Sequence, residues 1–369
     1  MRVQSDLASY QSMTLLSLLL LVSPEQAGGS WIGENLHCDL GLLGRHGFDD
    51  LLRLAALNHV VMRGMGFFLA IARGMRDDLR AQCAIQALAV EQRRIANALP
   101  FLAEIAESFE NAGYGCSVIK TLDHWPDLGS DIDLFSSASP AQVVELMTRR
   151  FGASVAPRSW GDRLACKWNF QIAGLPELIE IHVGRLGQTG EQISIASSLL
   201  RRTRLVTVAG RSFRVPSNSD RVLLSALQRM YRHFYFRLCD IVDTAALVEN
   251  DEIDFTDLHD AAEKAGIWEG VATYLAIVSD YTARYRGVGL NLPEVVAASA
   301  RFGGDAVYFA RGFLRVPILP QSARLYGAQL ALSLRKRQLQ TGARLSLLPW
   351  LATAAAVGHK VTGSDKGIW

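Results

Sequence analysis

Two aspartates one residue apart, Asp131 and Asp133, are the side chains of this sequence best placed to do chemistry. They sit in Gly129-Ser130-Asp131-Ile132-Asp133-Leu134-Phe135, where acids alternate with apolar residues in the period of a strand. Residues two apart on a strand project to the same side. The two carboxylates would therefore stand together and repel each other, a cost that a divalent cation relieves. Magnesium or manganese suits such a site, because both take oxygen ligands and can complete their shell with phosphate and water. Two ions held this way can polarise the attacking and departing oxygens of a phosphoryl displacement. A bare pair of this kind is also what an exposed strand edge looks like, but here Gly129 and Ser130 precede it, small residues that let backbone amides approach a phosphate. A calcium loop does not fit, since Ser136 stands where such a loop needs glycine and Gln142 where it ends in glutamate.

A third acid would complete the set, and Leu178-Ile179-Glu180-Ile181-His182 offers one inside an otherwise apolar strand. A lone carboxylate there is costly unless paired or metal-bound, although a solvated strand face would also accept it. Around these acids lie candidates for phosphate binding: Lys120 at the end of an earlier apolar run, and Arg229, His233 and Arg237, four apart on one helix face. His182 is placed to orient Glu180. Lys167-Trp168 and Arg163 are candidates for the cleft wall, and His124-Trp125, in the loop entering the acid strand, for stacking on a base. Each of these is equally what a solvated face or a core plug would show.

The elements that must position these groups follow from periodicity. Phe48, Leu51, Leu52 and Ala55 repeat at helical spacing, with Asp49 and Asp50 placed where the helix dipole favours acids. A second stripe, Ile95 to Phe109, ends at Asn111-Ala112-Gly113, and Pro100 should start a new helix or kink this one. Short strands are expected at 116–119, 131–135, 164–172, 178–183, 205–208 and 213–215. A helix is expected behind Ser139-Pro140 and another behind Ser217, whose apolar face runs through Leu223, Leu227 and Tyr231; a further helix begins near Thr256 and breaks at Gly266. The pattern is α+β, a small strand-rich core in an α-rich chain: a helical region over 1–112, the core over 113–216 and a helical region over 217–369. The core is too small to bury both faces alone, so the two helical regions are expected on opposite sides of the sheet.

Lys120, Gly129-Ser130-Asp131-Ile132-Asp133-Leu134 and Ile179-Glu180-Ile181-His182 together resemble the polymerase-β nucleotidyltransferase superfamily, and within it a poorly characterised bacterial family. The resemblance spans about residues 45–250 and includes the basic, aromatic segment 217–248 with Arg229, His233, Arg237 and Asp243. It implies a small mixed-sheet core flanked by helices, Asp131, Asp133 and Glu180 as catalytic acids on Mg2+ or Mn2+, and a nucleoside triphosphate, ATP first, as substrate. Glu180 would share a metal or take the acceptor's proton; Lys120, Gly129, Ser130, Arg229, His233 and Arg237 would hold the triphosphate. The acceptor would be a small molecule or a protein. One departure stands out: Thr121-Leu122 follows Lys120 where the family has its phosphate-contacting glycine. A nucleotide-binding protein without activity on the same fold is the alternative. A DxD glycosyltransferase is disfavoured, since no alternating strand-helix domain precedes the acids.

Composition sets bounds on partners. With 38 basic and 36 acidic side chains the net charge is +2, so no global field demands nucleic acid. Five cysteines (Cys38, Cys83, Cys116, Cys166, Cys239) form no CxxC pair, which signals neither a zinc framework nor disulfides and fits a reducing cytoplasm. The apolar run 13–22 is shorter than the roughly 20 residues a bilayer needs and reads as a buried helix. The apolar tail 345–358, with basic residues upstream, is expected to dock on the protein's own surface; peripheral membrane contact is the sharper alternative.

Overall fold

The computed structural model describes residues 2–22, 43–351, 353 and 354. Four helices lead: α1 (Arg2–Leu21), α2 (Arg45–Leu57), α3 (Val61–Gly74) and the 34-residue α4 (Asp78–Asn111). The sheet segment follows, with β1 (Cys116–Val118), β2 (Ile132–Ser136), α5 (Pro140–Phe151), β3 (Ser154–Val155), α6 (Trp160–Leu164), β4 (Lys167–Ile172), β5 (Leu175–Val183), α7 (Ile193–Leu199) and the hairpin β6 (Thr203–Val208)–β7 (Arg211–Pro216). Helices then return as α8 (Asn218–Gln228), α9 (Leu238–Glu249), α10 (Phe255–Ala265) and α11 (Trp268–Arg286), with β8 (Tyr235–Phe236) between α8 and α9. The fold is α+β: a mixed five-stranded sheet with helical flanks.

Local chemistry accounts for several boundaries. Ser139 caps α5 with its hydroxyl while Gln142 reaches back to the Ser139 N–H, a reciprocal capping box. Ser217 caps α8 through the Asp220 N–H. Gly266 ends α10 in the left-handed conformation at φ +73°. One helix expectation needs correction. α2 starts at Arg45, so Asp49 and Asp50 lie beyond its first turn. α4 runs unbroken through Pro100, whose missing hydrogen bond is offset by the buried stripe Ile95, Leu99, Leu102, Ile105 and Phe109 on either side.

The sheet order is β1-β2-β5-β4-β3, with β2 and β5 parallel and the other neighbours antiparallel. Period-two alternation sends Ile132 and Leu134 of β2, Ile179 and Ile181 of β5 and Phe170 of β4 into one apolar core, shared with α4 and α5. The opposite face carries Asp133, Glu180 and His182, and further along β2 Phe135 joins a second core.

That second core overturns the expected arrangement of the flanks. α1, α2 and α3 do not lie across the sheet from the C-terminal helices; they share one core with α8, α9, α10 and α11, and the Ser17 hydroxyl meets the Tyr281 hydroxyl at 2.7 Å. α4 alone of the leading helices crosses to the other face, because its second half carries the stripe that the sheet needs covered. The apolar run 13–22 is accordingly buried helix, with Leu16 fully inaccessible. No helix among the described residues is long and apolar enough to cross a membrane. Cys38 and residues 352 and 355–358 of the apolar tail lie outside the described residues. Cys83, Cys116, Cys166 and Cys239 are all free thiols.

If α1 is an integral part of this core, Leu16→Ala lowers the unfolding free energy by about 2–5 kcal/mol, the usual cost of a buried leucine cavity. Urea titration followed by circular dichroism checks it; a loss below about 0.5 kcal/mol, the range of an exposed side chain, would place α1 outside the core.

Candidate functional site

The parallel pairing of β2 and β5 sets Asp133 directly opposite Glu180, and β4 adds Asn169 to the same row. One step along, His182 lies opposite Lys167. Side chains paired this way across strands share a face, so the strand register alone gathers two carboxylates, an imidazole and an ammonium on one patch. Ligand atoms of Asp133, Glu180 and His182 all fall within 4.8 Å of one another. Asp131 precedes β2 and lies outside that tight group, but it lines the same cleft of about 240 Å3.

Two lysines neutralise the patch. Lys120 Nζ donates to Asp133 Oδ1 at 2.6 Å and lies 3.6 Å from Glu180 Oε1, and His182 Nε2 is 2.9 Å from the same Glu180 oxygen. Lys167, which sequence alone leaves equally well on a solvated face, is buried and bridges Glu180 Oε2 and Asp162 Oδ1, both at 2.7 Å. Burial works against the charge of Glu180, yet Lys120, His182 and Lys167 together hold its carboxyl well below the usual range. At Asp131 the same two lysines are outweighed: burial, then Asp133 and Glu180, push it up to about 6. Three carboxylates with residual mutual repulsion are the oxygen donors that suit magnesium or manganese, and His182 adds one imidazole nitrogen beside them.

Thr121 resolves the departure from the family pattern in physical terms. It is buried, and its Oγ1 accepts the Asp133 N–H at 2.8 Å, so the residue in the glycine's place aligns the acid strand. The left-handed backbone falls one residue earlier, on Lys120 at φ +62°. The Gly129-Ser130 loop is anchored from α4: Arg94 donates to the carbonyls of Leu128 and Gly129 at 3.1 and 3.2 Å while pairing with Glu177 at 2.8 Å.

The expected helix carries Arg229 and His233, as a π-helical last turn, but breaks at Phe234 before it reaches Arg237. α8 ends at Gln228, the chain makes a wide turn over Arg229–His233, and Phe234 adopts φ +55° before β8, which pairs with a later strand at Phe313–Arg315. All three residues nevertheless line the cleft. Their roles differ. Arg229 is neutralised by Asp240, at 2.7 Å. Burial, followed by the positive charges of Arg232 and Arg229, holds His233 well below its ordinary value. Arg237 keeps a buried Nε without a hydrogen-bond partner, as does Arg232. Arg163 is exposed, and Trp125, 40% exposed, is not part of the cleft lining, whereas His124 is. Asp162, Arg232, Tyr235 and His59 also belong to the site's surroundings; only the basic run around 229–237 carried a sequence signal for any of them, and it pointed to the right segment.

Residues 130–282 match the model of a family described as an uncharacterised nucleotidyltransferase. A comparison with curated proteins finds no match.

Gly129 gives a clean separation of fold from site. A Cβ there would meet nothing nearer than the Asp131 carbonyl at 3.5 Å, and its φ lies outside the left-handed region, so packing does not require glycine. Gly129→Ala should leave stability unchanged or raise it by about 0.4–1 kcal/mol, while weakening triphosphate binding about tenfold by blocking backbone approach. Thermal unfolding and nucleotide titration on the same sample read both effects.

Proposed function

We propose that this chain is a metal-dependent nucleotidyltransferase that moves a nucleoside monophosphate from a nucleoside triphosphate, ATP first, to a hydroxyl of a small molecule or a protein. The observation that carries the reading is the β2–β5 register, which gathers Asp133 and Glu180 on the floor of a cleft whose opposite wall is basic. Asp131, Asp133 and Glu180 would hold Mg2+ or Mn2+. Bound there, the cation would supply charge to neutralise the triphosphate and polarise the reacting oxygens. The rest is done by the chain. Lys120, at the cleft floor, is placed to exchange its carboxylate partner for phosphate oxygens. Arg232 and Arg237, each with a buried Nε that lacks a partner, line the cleft and would hold the same phosphates. Gly129 and Ser130 supply backbone on a loop that Arg94 keeps in place.

Of the two roles open to Glu180, ligand is favoured over base. A carboxylate bonded to Lys167 and His182 and held well below the usual range is a poor proton acceptor. The reaction consumes the acceptor O–H and the triphosphate and yields the nucleotidyl ester, pyrophosphate and a proton.

The second reading, a nucleotide-binding protein without transfer activity, draws on Lys120. Its ammonium already bridges Asp133 and Glu180 and would supply the neutralising charge that a cation supplies in an enzyme. Incubating the protein with each α-labelled nucleoside triphosphate, Mg2+ and fractionated cell extract separates the two. The enzyme transfers label from at least one nucleotide to a discrete acceptor, and Asp133→Asn lowers transfer by at least about a hundredfold while leaving the circular dichroism spectrum unchanged. Full transfer by Asp133→Asn would remove the acids from the chemistry, and no transfer from any nucleotide would favour the inactive reading.

A further inference from the structure

A second cluster borders the same cleft and has a different chemistry. His59 follows α2, His124 lies in the connection between β1 and β2, and Cys239 is in the first turn of α9. One ligand atom from each falls within 4.8 Å of the other two. We infer that His59, His124 and Cys239 form a binding site for a soft divalent cation, zinc first, separate from the carboxylate patch and independent of the transfer reaction proposed above.

The geometry fits that ion. Cys239 Sγ lies 3.6 Å from His124 Nε2. Two tetrahedral ligands at about 2.3 Å (sulfur) and about 2.0–2.1 Å (nitrogen) stand roughly 3.5 Å apart, so this pair needs little movement to share a zinc ion. His124 is already oriented as such a ligand is: its Nδ1 bonds Asp243 Oδ2 at 2.5 Å, leaving Nε2 for a metal. Asp243 is fixed by Arg63 at 2.5 Å, Arg63 by Asp127 at 2.9 Å, and Asp127 by the Met62 N–H at 2.6 Å. His59 Nδ1 is buried without a hydrogen-bond partner, an unsatisfied lone pair or N–H of the kind that marks a missing ligand.

The first and third ligands are also held together by backbone. Asn58 is fully buried, its Oδ1 accepts the Leu238 N–H at 3.0 Å and its carbonyl accepts the Cys239 N–H at 3.3 Å. A side chain next to each partner of this splice, His59 and Cys239, supplies the cluster. Sulfur and imidazole donors select zinc over magnesium, and the carboxylates of the acid patch select the reverse. With His59 and His124 lining the cleft, a three-ligand ion keeps its fourth position toward the cleft.

The test uses the full-length protein, stripped with chelator, reloaded with zinc chloride or cobalt chloride, desalted and analysed for bound metal. The site predicts about one zinc per chain in wild type and in Asp133→Asn, and less than about a tenth in Cys239→Ser and His59→Gln. It also predicts a near-ultraviolet sulfur-to-cobalt charge-transfer band in the wild type that Cys239→Ser abolishes, and a lower melting temperature after stripping. Should Cys239→Ser fail to fold, His59→Gln, at the cleft edge, carries the stoichiometry. Absence of bound zinc in the wild type overturns the inference. So does zinc that Asp133→Asn loses while Cys239→Ser keeps it, or a cobalt spectrum without the thiolate band; the three side chains would then be a hydrogen-bonded chain only. Transfer activity plays no part in these readouts, so the inference and the transferase reading fail separately.

Discussion

Everything at the site depends on one constraint: a parallel strand pair sets Asp133 against Glu180 on a sheet face that is largely removed from water. Two carboxylates so placed cannot both ionise cheaply unless positive charge is supplied nearby. The chain supplies it from three directions. Lys167 comes from the neighbouring strand, Lys120 from the end of β1 and His182 from the next position on Glu180's own strand. Lys167 is itself held by Asp162, so the compensation is a network rather than a pair. Asp131 is only partly compensated by the two lysines, and burial together with the other acids raises it. The unmet part of the charge balance thus sits at the mouth of the patch, facing the cleft.

The larger architecture exists to keep that face open while burying the other. α4 and α5 cover the apolar side of the sheet, and the helices from both ends of the chain merge into a second core beyond it. Where α8 would have continued over the acids, the chain turns through Phe234 and β8 instead, and this turn presents Arg232 and Arg237 to the cleft. Arg229 stays behind in a buried pair with Asp240 that ties the turn to α9. The basic wall is built by a helix break, and a helix running on would have pointed these residues around its circumference.

How much of this the sequence showed follows from range. The acids, the strand alternation around Ile132 and Leu134, the caps at Ser139 and Ser217 and the stop at Gly266 are local signals, and all are present in the fold. Burial of Lys167 was not legible, because it depends on Asp162 and Glu180 arriving from other elements. Nor was the role of Thr121, whose hydroxyl meets a backbone N–H twelve residues away only after β1 and β2 pair. The break at Phe234 carried no local signal, because Leu223, Leu227 and Tyr231 continue a helical period up to it; tertiary pairing of β8 ends that helix. His59, with no motif around it, became visible only when Asn58 joined α2 to α9.

On the proposed reading the acid patch works through a divalent cation, and Lys120 does not replace it. Calorimetric titration of ATP and of GTP into the wild-type protein, with Mg2+ and with chelator, tests this most directly. The account predicts that at least one of the two nucleotides binds at least about tenfold more tightly with Mg2+, a difference of about 1.4 kcal/mol, and that Asp133→Asn removes the difference. Equal affinity with and without the cation would contradict it and identify Lys120 as the permanent counter-charge of a binding protein.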